Sequence, residues 1–220
     1  MAVAGGRAEV RCSTIADGDF HIESPRATLA THRSAFTPGV WSQLDEVHGI
    51  DVLTVTRPGE HDYAVGDALV TQLPDVVLAV WVGDCAPVVL VGDDGTVAAV
   101  HAGWKGALSG VLASTVAAMG CEPGTVQALL GPCIHPCCYE FGAADLAQFV
   151  ERFGPGVAAH TAWGTPALDL PAVVHHALAE VGVGVTDLGG CTGCRDDLWF
   201  SHRRRGQAGR QVMTVRRVPT

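Results

Sequence analysis

Lysine is almost missing from this chain: Lys105 is the only one in 220 residues. Aromatic residues make up 6% and charged residues 17%, and the balance of charge is −9. That deficit of positive charge excludes a general nucleic-acid binder. No run of about 18 apolar residues occurs, so no membrane-spanning helix is expected. The opening Met1-Ala-Val-Ala-Gly-Gly6 lacks the basic start and long apolar region of an export signal, and a cytoplasmic location is expected. Without export, the eight cysteines read as reduced thiols and not as a disulfide framework. No His-x-His pair occurs, only the adjacent His175-His176, so the four-copper chemistry of a multicopper oxidase has no support.

What is present is a 48% hydrophobic composition, enough for a substantial core, and a length that fits one domain over residues 1–220. Val76 to Val82 is a continuous apolar run, as expected of a strand buried on both faces. Val88–Val91 and Val97–Val100 follow as two more strands, joined by the turn Gly92-Asp-Asp-Gly95. Residues 7–15, Trp41–Val47, Ile50–Thr56, Asp67–Thr71, Val126–Leu130, Val183–Leu188 and Gln211–Val218 also read as strands. Helices are expected over Arg26–Arg33, Ala143–Phe153 and from Leu170-Pro171 to about Val181. One more is expected over Lys105–Met119, with Leu108, Val111, Leu112, Val116 and Met119 as its apolar stripe. No internal repeat or interdomain linker is visible.

Three clusters compete to carry chemistry. His48, Cys85 and His101 offer two imidazoles and a thiolate, a ligand set for one Zn²⁺ ion with water as the fourth ligand. The same set also accepts copper. Cys191-x-x-Cys194 together with Cys133, Cys137 and Cys138 supplies pairs for a structural zinc site, against the plainer reading of buried thiols and a tight turn. In the third reading Cys85 is a nucleophile with His101 as its base and no metal, and Asp84 orients a histidine or caps a turn. Seven of the 13 arginines lie at or after Arg195. The run Arg203-Arg204-Arg205 is either a solvated face or an anion-binding rim.

Several motifs then occur in order: Glu46-Val-His48-Gly49, Asp67-Ala-Leu-Val-Thr71, Gly83-Asp-Cys85-Ala-Pro87, His101-Ala-Gly-Trp-Lys-Gly106, Gly131-Pro-Cys-Ile-His-Pro-Cys-Cys-Tyr-Glu140, Cys191-Thr-x-Cys194 and Phe200-Ser-His-Arg-Arg204. From about residue 40 to the C-terminus the set resembles the YfiH family, also called the peptidoglycan editing factor family and formerly labelled laccase or polyphenol oxidase. The resemblance implies a single mixed α/β (α+β) domain of layered mixed β-sheets flanked by helices. It implies zinc held by His48, Cys85 and His101, and a purine nucleoside enzyme. The activities implied are phosphorolysis of adenosine, inosine and methylthioadenosine, and deamination of adenosine. The expected partners are a purine nucleoside and phosphate, with no nucleic acid and no membrane, in a monomer or homodimer. On this reading Cys85, His101 and Asp84 are catalytic, and Trp104, Lys105, Arg203 and Arg204 bind substrate and phosphate. Departures accompany the match. Glu46 stands where the family carries glutamine, His135 where glycine is usual, and His202 where an aromatic is common. Ile15 stands where an arginine is expected, which removes a candidate phosphate ligand. Two other readings are a Cys–His amidase linked to cell-wall precursor editing and a metal-stabilised binding protein without catalysis.

Overall fold

Alternation within the apolar runs dictates the layering. The computed structural model describes residues 1–219. Its strands in chain order are β1 (Ala2–Val3), β2 (Gly6–Cys12), β3 (Val40–Gln43), β4 (Val52–Thr54), β5 (Ala68–Thr71), β6 (Val76–Val82) and β7 (Ala86–Gly92). They continue as β8 (Val97–Ala102), β9 (Val126–Leu130), β10 (Ala158–His160), β11 (Pro166–Leu168), β12 (Gly184–Asp187) and β13 (Gln211–Pro219). The helices are α1 (Arg26–Phe36), α2 (Trp104–Ser109), α3 (Val111–Met119), α4 (Ala143–Phe153), α5 (Leu170–Ala179) and the single turn α6 (His202–Arg205). A five-stranded sheet runs β1-β2-β13-β6-β3, and a six-stranded sheet runs β12-β9-β7-β8-β5-β4. Both are mixed: β3 runs parallel to β6, which is antiparallel to β13, and β4 runs parallel to β5, which is antiparallel to β8.

The two sheets pack face to face. On β6, Val76, Leu78 and Val80 join Leu69, Val89, Val91, Val97 and Ala99 in the layer between the sheets. The alternate residues Val77 and Ala79 pack outward with Phe20, Leu29 and Trp41 beneath α1. Strand β7 repeats the pattern, with Val89 and Val91 inward and Val88 and Leu90 against the helices on the far side. That far layer contains Val111, Leu112 and Val116 of α3, Phe149 of α4 and Val173 and Val174 of α5. The order is therefore helix, sheet, sheet, helices. The central strands β6, β7 and β8 have no solvent face, which is why the sequence shows runs and not alternation there. Each buried Val or Leu there contributes about 1.5–3 kcal/mol.

Some elements differ from the sequence reading. The helix expected over Lys105–Met119 is two helices, because Gly110 adopts a left-handed φ of 99° between α2 and α3. Glycine pays no Cβ penalty for that conformation, and the apolar stripe continues across the break. The strand expected to reach Val47 ends at Gln43, and Leu44 to Gly49 turns off the sheet. A hairpin of three-residue strands, β10 and β11, occupies a stretch that had no expected element.

Candidate active site

The site forms where the seam between the two sheets opens. Strand β6 belongs to one sheet and β7 to the other, so Gly83-Asp84-Cys85 crosses the seam. His101, near the end of β8, continues the Val97 and Ala99 side of that strand, which faces the seam. Asp67 precedes β5 on the side of Leu69 and meets His101: the His101 amide donates to the Asp67 carbonyl at 2.8 Å. His48 arrives on the loop that leaves β3.

One carboxylate organises these pieces. Asp67 Oδ1 accepts from the His48 amide at 2.8 Å and from His101 Nδ1–H at 2.8 Å, and Oδ2 accepts from the Gly49 amide at 2.7 Å. His48 is held at φ 62°, a left-handed conformation costly for a residue with a Cβ, and the two amide bonds to Asp67 clamp it there. The result brings His48 Nε2 to 3.7 Å from Cys85 Sγ, with the two imidazole rings edge to face at 4.8 Å. A ligand atom from each of His48, Cys85 and His101 lies within 4.8 Å of the other two. With His101 Nδ1 engaged by Asp67, Nε2 is the nitrogen left for a ligand.

The electrostatics are those of a mutually dependent group. Burial works to raise the Cys85 pKa, but the His101 charge and the hydrogen bonds from both histidines outweigh it and bring the thiol down to about 6. Burial works to lower the pKa of His101, but Glu46, Cys85 and Asp67 push it well above the usual imidazole value. Asp67 is held below the ordinary carboxylate value: burial opposes this, and His101 and the two amides prevail. Glu46, 2% exposed, is pushed up to about 8, chiefly by burial. Its Oε1 accepts from the Trp81 amide at 2.9 Å, and its Oε2 lies 3.6 Å from His101 Nδ1.

The cavity above this group measures about 340 Å³ and is lined by Glu46, His48, Trp81, Asp84, Cys85, His101, Trp104, Tyr139, His202, Arg203 and Arg210, among others. That volume suits a small organic ligand. Asp84 lines the cavity, but its carboxylate is occupied as a brace. It accepts from Thr192 Oγ1 at 2.6 Å, Ser201 Oγ at 2.7 Å and the Arg203 amide at 2.6 Å. Arg203 stacks over Tyr139 at 5.0 Å and donates through Nη1 to the Glu140 carbonyl at 3.0 Å. Trp104 and Arg203 thus stand at the cavity, whereas Lys105 and Arg204 are not among its lining residues. Lys105 Nζ sits over the Trp104 ring at 5.4 Å, and the Arg204 guanidinium over Trp163 at 4.9 Å. Ile15 is also outside the lining, its amide donating to the Leu198 carbonyl in a short turn.

Five polar residues at the cavity or beneath it escaped sequence reasoning as site residues: Asp67, Glu46, Tyr139, His202 and Arg210. Asp67 had two signals, a lone acid at the head of an apolar strand and its place at the head of one of the motifs. Arg210 had none, and its Nη1 is spent on the carbonyls of Gln207, Ala208 and Gly209. A second group lies apart: Cys137, Cys138, Cys191 and Cys194 bring their sulfurs within 4.8 Å of one another. Among the described residues no helix is long and apolar enough to cross a membrane.

The similarities to known proteins cover almost the whole chain. The model of a family described as multi-copper polyphenol oxidoreductase laccase matches residues 12–217. A purine nucleoside phosphorylase of Xylella fastidiosa is 37% identical over 210 residues, which span 90% of this chain and 80% of that protein. Purine nucleoside phosphorylase YfiH of Escherichia coli is 37% identical over 205 residues, 90% of this chain and 82% of the relative. A protein of the same description from Corynebacterium glutamicum is 34% identical over 224 residues, covering 96% and 90%. Among solved structures, protein NMB0706 of Neisseria meningitidis superposes with a TM-score of 0.86 at 26% identity, covering 99% of this chain and 96% of that one. YlmD of Geobacillus stearothermophilus gives 0.80 at 27%, covering 98% and 93%. With the motifs, the layered fold and these matches together, the chain belongs to the YfiH family, the one whose model carries the laccase description.

Proposed function

We propose that this chain is a metal-dependent purine nucleoside phosphorylase acting at the seam cavity, with zinc held by His48, Cys85 and His101. The observation that carries the reading is the convergence of those three side chains, fixed by Asp67, at the floor of a cavity of about 340 Å³. It is supported by relatives of that description that are 34–37% identical over nine-tenths or more of this chain. The donor set fits a zinc ion: a buried imidazole, a half-buried thiol and an exposed imidazole at the cavity floor, with a carboxylate behind the buried imidazole as an outer partner. When bound, the metal supplies Lewis acidity and a position for an oxygen ligand.

The residues of the chain do the rest. Asp67 fixes the tautomer and orientation of His101 and the backbone of His48. Arg203, steered by the bond from its amide to Asp84, offers its guanidinium to a phosphate. The aromatic faces of Trp104 and Tyr139 bound the space for the purine and sugar. In phosphorolysis a phosphate oxygen bonds to C1′ of the ribose as the bond from C1′ to the purine nitrogen breaks. The purine leaves with the electron pair and takes a proton, giving free base and sugar 1-phosphate. Adenosine, inosine and methylthioadenosine all present that bond. Deamination of adenosine at C6 is the second activity proposed for the same cavity. The laccase description of the family model finds no four-copper donor set among the described residues, whose His/Cys groups number three and four ligands.

The test is adenosine turnover by the purified protein, with and without phosphate, before and after chelation and zinc add-back, resolving adenine from inosine. Adenine formed only with phosphate, and restored by zinc, is the expected result. No product from zinc-loaded protein overturns the reading. The lowered Cys85 thiol beside two histidines supports a second reading, a metal-free thiol hydrolase for amide substrates. Its mark would be activity that survives chelation and is lost on alkylation.

A further inference from the structure

The four-thiol group lies apart from the cavity floor and is not part of the nucleoside chemistry. Cys137 and Cys138 sit on the loop that follows β9, and Cys191 and Cys194 on the loop that follows β12. Cys137 Sγ lies 3.7 Å from Cys191 Sγ and 3.4 Å from Cys194 Sγ, and Cys138 Sγ lies 3.4 Å from Cys194 Sγ. Four sulfurs around zinc at about 2.3 Å stand about 3.8 Å apart along the tetrahedron's edges. A disulfide needs about 2.05 Å, and all eight cysteines are free. Three of the six separations thus fall within a few tenths of an ångström of a thiolate tetrahedron's edge, and all six are under 4.8 Å. Thiols are weak hydrogen-bond donors and acceptors, so hydrogen bonding among themselves gives four of them little reason to converge.

The surroundings are built to hold such a group. A Cβ on Gly193 would meet Cys138 Cβ at 2.7 Å and its Sγ at 2.9 Å, so the turn from Cys191 to Cys194 closes on Cys138 only with glycine there. The His135 amide donates to Cys191 Sγ at 3.4 Å, the kind of bond that supports a metal thiolate from outside. Arg205 donates to the carbonyls of Gly193 and Thr192 at 3.1 and 3.0 Å, placing a cation beside the turn. Cys133, the remaining candidate, is not in the group. It is fully buried in the apolar core and pairs backbone to backbone with Cys191.

We infer that Cys137, Cys138, Cys191 and Cys194 bind a second, structural zinc ion as a closed four-thiolate site. Binding transfers four thiol protons to solvent and moves no electrons. The ion ties the loop that carries Tyr139 to the loop that leads into Arg203 on α6, and so braces one wall of the cavity. It does not rest on a metal in the cavity.

The test is the metal content of the full chain expressed with zinc, by native mass spectrometry and elemental analysis, with X-ray absorption for the coordination shell. Wild type is expected to hold two zinc ions, and a His48→Ala/His101→Ala variant one, with an all-sulfur shell at about 2.3 Å. Cys137→Ser/Cys194→Ser is expected to lose one equivalent and keep the other. Should those serines prevent folding, the wild-type count and shell still decide. One zinc in wild type that is lost with the thiol pair supports the inference and overturns the cavity metal. One zinc that is lost with the histidines, or a disulfide within the four cysteines by peptide mapping, overturns the inference.

Discussion

The two sulfur-bearing groups differ in how the chain assembles them. His48, Cys85 and His101 come from three separate places, each set by a strand end or a crossover between sheets, and one side of the group faces a cavity. Cys137, Cys138, Cys191 and Cys194 come as two close pairs on two loops, and four sulfurs fill all the positions a tetrahedron has. The first arrangement leaves room for a substrate and depends on the packing of both sheets. The second leaves none and adds a cross-link to two loops already joined by the backbone pairing of Cys133 with Cys191. Open sites do chemistry and closed ones hold structure. The difference is legible in ligand spacing alone: scattered ligands for the first group, pairs for the second.

The sharpest way to break that contrast is to exchange the consequences of mutation. Cys85→Ala is expected to lower phosphorolysis more than roughly 100-fold, beyond the range for losing an outer partner, while melting temperature barely moves. Cys194→Ser is expected to do the reverse, lowering Tm by roughly 4–8 °C for a loss of about 2 kcal/mol, with kcat little changed at a temperature where the protein is folded. Calorimetry beside the turnover assay reads both. A Cys85→Ala enzyme that melts early but still turns over would dissolve the distinction. Asp67→Asn comes next. It keeps the shape but replaces one of the two oxygens that accept from His101 and from the His48 and Gly49 amides with an amide nitrogen that cannot accept. Zinc affinity and turnover should each fall by about 10–100-fold, measured with a competing chelator, and one equivalent of zinc should remain bound elsewhere.

Sequence reasoning reached the trio because ligand chemistry and the motifs pick the same residues. It reached β6 and β7 because strands buried on both faces leave unbroken apolar runs. It did not reach Asp67 or Glu46 as members of the site. A buried acid becomes meaningful only when its partner is known, and Asp67 and His101 are 34 residues apart. The break at Gly110 was hidden because the helical stripe continues on both sides of it. The β10–β11 hairpin was hidden because three residues are too few to show a period. The thiol group was half visible: the pairs were plain, but only the structure separates Cys133, sealed in the core, from the four that converge.

The arginine run gives a finer comparison within one wall of the cavity. Arg203 lines it and Arg204 stacks on Trp163 outside it. A charge-assisted hydrogen bond contributes about 1.5–3 kcal/mol, so Arg203→Ala should raise the apparent KM for phosphate by about 10-fold or more. Arg204→Ala should leave it within about twofold, since a residue outside the cavity gives up none of that energy. Equal effects would mean that phosphate enters by the outer face, past Trp163, and that the cavity assignment of Arg203 is wrong.

The smallest expected effect belongs to neither group. Glu9 on β2 accepts from Arg216 on β13 at 3.0 and 2.8 Å and from Arg7, and these bonds hold its carboxyl below the ordinary value. A carboxyl with a depressed folded-state pKa stabilises the fold above its unfolded pKa, and the contribution is lost as pH falls through the folded value. The pair is near the surface, so solvent screening keeps it under about 1 kcal/mol. Glu9→Gln should therefore lower the urea midpoint slightly at neutral pH. The gap to wild type should close in acid, below the usual range of a glutamate. Zinc content and turnover should not change, because the Glu9–Arg216 pair lies on the side of β13 away from β6 and the site. A gap that persists in acid would mean that Glu9 acts through packing and not through its charge. A change in turnover would mean that the β2–β13 pairing reaches the cavity through Gln211, whose side chain donates to the Gly83 carbonyl two residues before Cys85.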